Sequence, residues 1–285
     1  MKTISLNKQQ QSEFEKILTE LIYSIKKTYS NEDLIILISN ILKESGLQTI
    51  KSKKNIAKNI YQKIEIINQK IANSAKNKFV KYKTNGIKTE LINDYQNGKL
   101  IAYNYPSTII NFGLDLKNKT IVLKKDFLNK TKNEKIEILS ICILSILIFF
   151  ASGGGNDFEG GIPDMDLKFG IGFHRNIFSH SIIIGITIEL LMRAGIELIN
   201  ETYKNLPENH HKFWDTTNSF INENKGIAIS SMWAGISVHL IKDSGIFGHG
   251  VKPYNSLPLE MSKEAHQGLF TANSIASSMI AYNKN

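Results

Sequence analysis

The chain has 285 residues, 42% of them apolar, which suits one large or two modest folded domains with a real core. Cys142 is the sole cysteine, so an intrachain disulfide framework is excluded. The formal net charge is +9, and residues 51–90 hold eleven lysines against Glu65 and Glu90, so the rest of the chain is close to neutral. Such a basic block suits a polyanionic partner, either nucleic acid or an anionic membrane surface, or else a solvated lysine-rich helix face.

The first residues, MKTISLNKQQQSEFEK, lack the apolar core of a secretory signal. Residues 7–45 predict two helices. Phe14, Ile17, Leu18, Leu21 and Ile22 follow the helical period in the first. Ser30, followed by Asn31, Glu32 and Asp33, is a start signal for the second, because its side chain and the early acids satisfy free N–H groups. Gly46 is a stop signal. Residues 52–84 predict one long helix with a narrow stripe of Ala57, Ile60, Ile64, Ile67 and Ile71. Residues 98–127 are rich in β-branched and aromatic residues around Lys117-Asn118-Lys119, which predicts a small β-hairpin or meander.

From Asn133 onward the chain is helical and more apolar. Ile138–Ala151 is shorter than the roughly 20 residues that cross a bilayer, and a buried core helix is expected there. The stretch SGGGNDFEGGIPDMD is a loop without a phosphate-cradle pattern. Helices are predicted at about 177–203, 227–246 and 261–281, with a polar connection ending near Lys225. The predicted fold is mainly α: a multi-helix bundle catalytic domain over 131–285, an N-terminal helical region over 1–130, and the small β element between them. With no signal peptide and no convincing transmembrane segment, a cytoplasmic or peripheral-membrane location is expected.

One third of the chain gathers the residues that carry chemistry. Asp164 and Asp166 sit two apart after Pro163, a spacing that turns both carboxylates one way in an extended segment. His174 and His180 bracket Arg175, and Ser179 is a candidate cap for the helix that follows. His239 and Asp243 lie four apart on one face of an apolar helix, where buried polar groups need partners. Carboxylate and imidazole together favour a divalent metal, zinc or manganese over calcium. Arg175 presents a planar fork suited to phosphate, and Ser181 beside it is a hydrogen-bond donor. His249, between two glycines, is a candidate proton donor; His266 is a weaker one, and His210 and His211 read as surface residues.

The ordered strings GGIPDMD, FHRNIFSHSI and SVHLIKDSG resemble the YdjM-like family of LexA-regulated, membrane-bound metal-dependent hydrolases, over about residues 150–250. The family pattern of PDxD, HRxxTHS and HxxxD falls on Asp164, Asp166, His174, Arg175, His180, Ser181, His239 and Asp243, with Ser179 in place of threonine. The resemblance implies those residues as a metal site. The family's membrane embedding does not carry over, because Glu189 and Arg193 interrupt the helix after His180. The expected activity is therefore metal-dependent hydrolysis of a phosphoester, in a phosphodiesterase- or phospholipase-like manner. Asp164, Asp166, His174, His180, His239 and Asp243 would be the ligands, and Asp166, Arg175 and His249 the catalytic groups. Phospholipid at a membrane surface is the favoured substrate. A nuclease or nucleotide phosphohydrolase is the second enzyme reading, and a non-enzymatic metal-stabilised interaction protein is the alternative from another class.

Overall fold

The computed structural model describes residues 7–86, 88–90, 92–93, 96, 122, 124–246, 250–255 and 260–283. Among these it is helical, with no strand. The main helices are α1 (Lys8–Thr28), α2 (Asn31–Asn85), α3 (Lys132–Gly153), α4 (Ile182–Lys204), α5 (Lys212–Asp243) and α6 (Lys263–Tyr282), with two 3₁₀ segments at Pro163–Phe169 and Ile171–Phe173. The hairpin expected across 98–127 falls mostly on residues outside the described ones; at its far end, 124–129 are helical.

The predicted helix start at Ser30 is present in full. Asp33 N–H donates to Ser30 Oγ at 3.2 Å, and the Asp33 carboxylate accepts from Ser30 N–H at 3.2 Å and Oγ–H at 2.6 Å. This reciprocal pair satisfies donors that a helix end otherwise leaves open. Gly46 does not end α2, which spans 55 residues from Asn31 to Asn85. Glycine in a helix costs only about 1 kcal/mol, and Ser45 and Thr49 on either side of it are buried by tertiary packing. The predicted second and third helices are thus one.

The chain divides into two compact units, and their limits differ from the expected boundary at 130. One unit holds 57–140, including the lysine-rich stretch of α2. The other holds 1–56 and 141–285, so α1 and the start of α2 belong with the C-terminal helices.

The core of this larger unit is built on α5. Ile229, Met232, Trp233, Ile236 and Leu240 recur at helical spacing and are fully or nearly fully buried, together with Phe270 of α6. α5 begins at Lys212, well before the expected 227. The His211 side chain caps it by accepting from Phe213 N–H at 3.1 Å. α4 crosses α5 at Gly185, where a Cβ would stand 2.3 Å from the Trp233 ring. One turn later Glu189, fully buried, accepts from Trp233 Nε1–H at 2.6 Å, from Arg193 Nη2–H at 2.9 Å and from Lys53 Nζ–H at 2.5 Å. A buried carboxylate persists because two cations and an indole N–H satisfy it. The two charges that keep α4 from reading as a membrane span are therefore core groups.

α3 departs from the expected buried helix. It spans 22 residues, but Ile136, Leu139, Ile143, Ile146 and Leu147 are exposed. Among the described residues it is the one helix long and apolar enough to cross a membrane, by length and composition only.

Candidate metal centre

Four elements deliver the site. The first 3₁₀ segment carries Asp164 and Asp166, and the loop after the second carries His174, Arg175, Ser179 and His180. The last turn of α5 carries His239 and Asp243, and the end of α3 contributes the carbonyl of Gly153. α3 reaches α5 so closely because both crossing residues are glycines: a Cβ on Gly235 would lie 2.3 Å from Phe149 O. Gly235 is one turn before His239, so this contact sets the Gly153 carbonyl beside the imidazole.

Each donor residue has one polar atom tied by the chain and another turned toward a common point. His239 Nδ1 lies 3.2 Å from Gly153 O, which only accepts, so Nδ1 bears a proton and, in the neutral ring, Nε2 carries the lone pair. Burial opposes the charged ring, but Asp164 and Asp243 outweigh it and raise the pKa, so the site draws positive charge to this point. Ser179 Oγ–H donates to Asp166 Oδ2 at 2.5 Å, so it accepts from His180 Nδ1–H at 2.9 Å. That leaves His180 Nε2 as a lone pair, 3.1 Å from Asp164 Oδ1. Asp164 Oδ2 is held by Gly160 N–H at 2.6 Å, and Asp243 Oδ1 by Lys252 Nζ at 3.2 Å.

The atoms that Asp164, His180, His239 and Asp243 leave over are acceptors in the neutral rings, and the one unpartnered donor beside them, among the described residues, is Arg175 Nε. Asp164 Oδ1 and Asp243 Oδ2 each stand 3.6 Å from His239 Nε2, and Asp243 Oδ2 stands 3.6 Å from His180 Nε2. His239 Nε2 and Asp243 Oδ2 are buried without a hydrogen-bond partner among the described residues. Burial drives the His180 pKa down, against the pull of Asp164, and so keeps that ring neutral. Lone pairs and carboxylates facing one another in a buried pocket repel unless a cation lies between them. Ligands about 2.0–2.2 Å from a tetrahedral zinc stand roughly 3.3–3.6 Å apart, so the donor set fits a divalent ion. His174 groups with Asp164 and His180, and its Nδ1 is 3.7 Å from Asp164 Oδ1.

Of the six expected ligands, Asp164, His174, His180, His239 and Asp243 come together. Asp166 does not join them. Its Oδ1 faces His174 Nδ1 at 3.0 Å, and its Oδ2 accepts from Arg175 N–H at 2.9 Å, Asn176 Nδ2 at 3.2 Å and Ser179 Oγ. It orients the histidines rather than facing the common point, the usual work of carboxylates around a metal site. Arg175 lies beside the cluster with Nε 3.6 Å from Asp243 Oδ2, in a left-handed backbone conformation at φ 61°. His249 lies outside the described residues.

The two serines exchange their expected roles: Ser181, expected as a donor at the site, caps α4 by accepting from Ile183 N–H, and Ser179, expected as the cap, serves the site. Sequence reasoning missed a strap, residues 251–255, which is tied to site residues at four carbonyls. Lys252 N–H donates to Asp243 O, Asn255 N–H to Arg175 O, Asn255 Nδ2 to His174 O, and Tyr254 Oη–H to His180 O. His266, also buried, accepts from Tyr254 N–H at 3.1 Å, so it fixes the strap. The strap also brings in Lys252, which bridges Asp243 and Glu159. Its only sequence signal is a lysine and a tyrosine close after a glycine-rich turn.

No protein-family model, curated protein or solved structure matches the chain, so the centre stands on its own geometry.

Proposed function

We propose that this protein is a metal-dependent hydrolase of phosphoester bonds, with zinc or manganese held by Asp164, His180, His239 and Asp243, and His174 beside them. The observation that carries this reading is the pair of buried, unpartnered acceptors, His239 Nε2 and Asp243 Oδ2, 3.6 Å apart. A divalent ion there supplies Lewis-acid polarisation of a phosphoryl oxygen and lowers the pKa of water. Arg175 and Lys252 place two cations beside the donors, where they suit the equatorial oxygens of a phosphoryl group. Hydrolysis joins a water oxygen to phosphorus, breaks the ester P–O bond and passes one proton from the water to the leaving alcohol. Asp166 and Ser179 hold the two loop histidines in their tautomers throughout. The resemblance to the YdjM-like hydrolases supports the same residues, with Asp166 as a positioning group instead of a ligand.

Elemental analysis of the purified protein, together with turnover of bis(4-nitrophenyl) phosphate, tests the reading. The protein is expected to bind zinc or manganese stoichiometrically, and His239→Ala and Asp164→Ala to lose both metal and turnover. Failure to bind either ion removes the proposal. Binding without turnover of any phosphoester, including DNA, RNA and phospholipid, assigns the ion a structural role instead.

A further inference from the structure

The segment that supplies half the donors partitions its side chains inside out. Across 163–181, the polar residues Asp164, Asp166, His174, Ser179, His180 and Ser181 are buried. The large apolar residues face the other way: Phe169 is 78% exposed, Ile171 83%, Phe178 67%, Met165 50% and Leu167 45%. Asp164 and Asp166 turn inward in the first 3₁₀ segment, while Met165 between them and Leu167 after them turn outward. Gly170, at φ 108°, makes the corner between Phe169 and Ile171, a conformation that a side chain would resist.

Exposed apolar groups gathered on one short segment mark a contact surface. Charge then chooses the partner. Both acidic residues of the segment point inward, and its exposed charge is Lys168. Protruding aromatic and aliphatic tips with a lysine and no exposed acid match the interface of an anionic bilayer, where the rings enter the acyl boundary and the lysine meets the headgroups.

We propose that Met165, Leu167, Phe169, Ile171 and Phe178 form an interfacial anchor that seats the metal-centre face of this protein on an anionic lipid surface. The anchor deepens, and for its purpose rests on, the hydrolase reading: it would present a headgroup phosphoester to the centre that the same segment builds. Binding to the surface itself needs no metal.

Flotation of the full chain with vesicles of phosphatidylcholine and phosphatidylglycerol in equal parts tests the anchor, with and without chelator. The wild type is expected to float in both conditions and to bind pure phosphatidylcholine more weakly. The double variant F169S/I171S should lose roughly tenfold or more in partitioning, since two large apolar side chains leave the interface. It should keep the circular dichroism spectrum and metal binding of the wild type. As a second measurement, the F169W variant should show a blue-shifted tryptophan emission on vesicles and be quenched by lipids brominated on the acyl chain. The proposal is overturned if the wild type does not float, if F169S/I171S floats as well as the wild type, or if F169W is not quenched. Loss of flotation in Ile143→Lys alone places the contact on α3 and overturns it too. Metal binding and turnover are scored separately, so a failed anchor and a failed hydrolase give different results.

Discussion

The phenol of Tyr254 donates to the backbone carbonyl of His180 at 2.6 Å, from 74 residues away, while its ring stacks on Phe270 at 4.0 Å. The bond fixes the residue whose imidazole is most deeply enclosed at the centre. Burial holds the Tyr254 hydroxyl above its ordinary pKa, so it remains a donor throughout the working range. Tyr254→Phe keeps the stack and removes only the donor, leaving a buried carbonyl short of a partner. A loss of about 1–3 kcal/mol in urea unfolding is expected. Tyr254→Ala also removes the ring and should cost about 3–5 kcal/mol. Equal losses in the two variants would show that the hydroxyl carries the whole effect.

Gly235 and Gly195 offer a contrast between two helical glycines. A Cβ on Gly235 would meet Phe149 O at 2.3 Å and Ser152 Cβ at 2.9 Å, whereas one on Gly195 meets nothing within 4 Å. Gly235→Ala must push the end of α3 away, at a cost of roughly 1–3 kcal/mol, and with it the carbonyl that orients His239. Zinc affinity, read by competition with a chromogenic chelator, should fall about 10–100-fold. Gly195→Ala should instead stabilise by about 0.5–1 kcal/mol and leave metal affinity unchanged.

Glu189 accepts from Lys53, Arg193 and Trp233 in the core, and Lys53 Nζ also lies 5.0 Å from the Trp233 ring centre. Glu189→Leu leaves two largely buried cations without their carboxylate and should cost about 3–5 kcal/mol in chemical denaturation. Adding Lys53→Met removes one of those cations and should recover part of the loss. A double-mutant cycle with no coupling between the two positions would refute the network.

His210 bonds Asp215 at 2.9 Å near the start of α5, and this contact raises its pKa above 6.5, helped by the Pro207 carbonyl. A raised folded-state pKa means that the folded chain binds the proton more tightly. The contribution is complete below pH 6.5 and fades as pH rises through the folded value. His210 is near the surface, so the effect should stay within about 1 kcal/mol and shrink with salt. Unfolding midpoints from pH 5.5 to 9 should therefore fall less in His210→Gln than in the wild type; identical profiles would count against the contact.

The sequence by itself determined the helical class, the starts of α2 and α6, and the order of the donors. These depend on local rules: apolar period, capping chemistry, and which residues share one turn. His239 and Asp243 were legible as a pair because four residues close one helical turn on one face. Tertiary structure alone decided the rest. It carried α2 through Gly46, because buried packing outweighs a propensity of about 1 kcal/mol. It separated Asp164 from Asp166, two residues that look alike in sequence, by the partners that reach each oxygen: Gly160 for one, Arg175, Asn176 and Ser179 for the other. It added Gly153, Lys252 and Tyr254, whose role depends on contacts 86, 9 and 74 residues away in the chain. Spacing fixes which side chains share a face. Only the fold fixes which lone pairs meet, because each ring and carboxylate at this centre is turned by a hydrogen bond to its other atom.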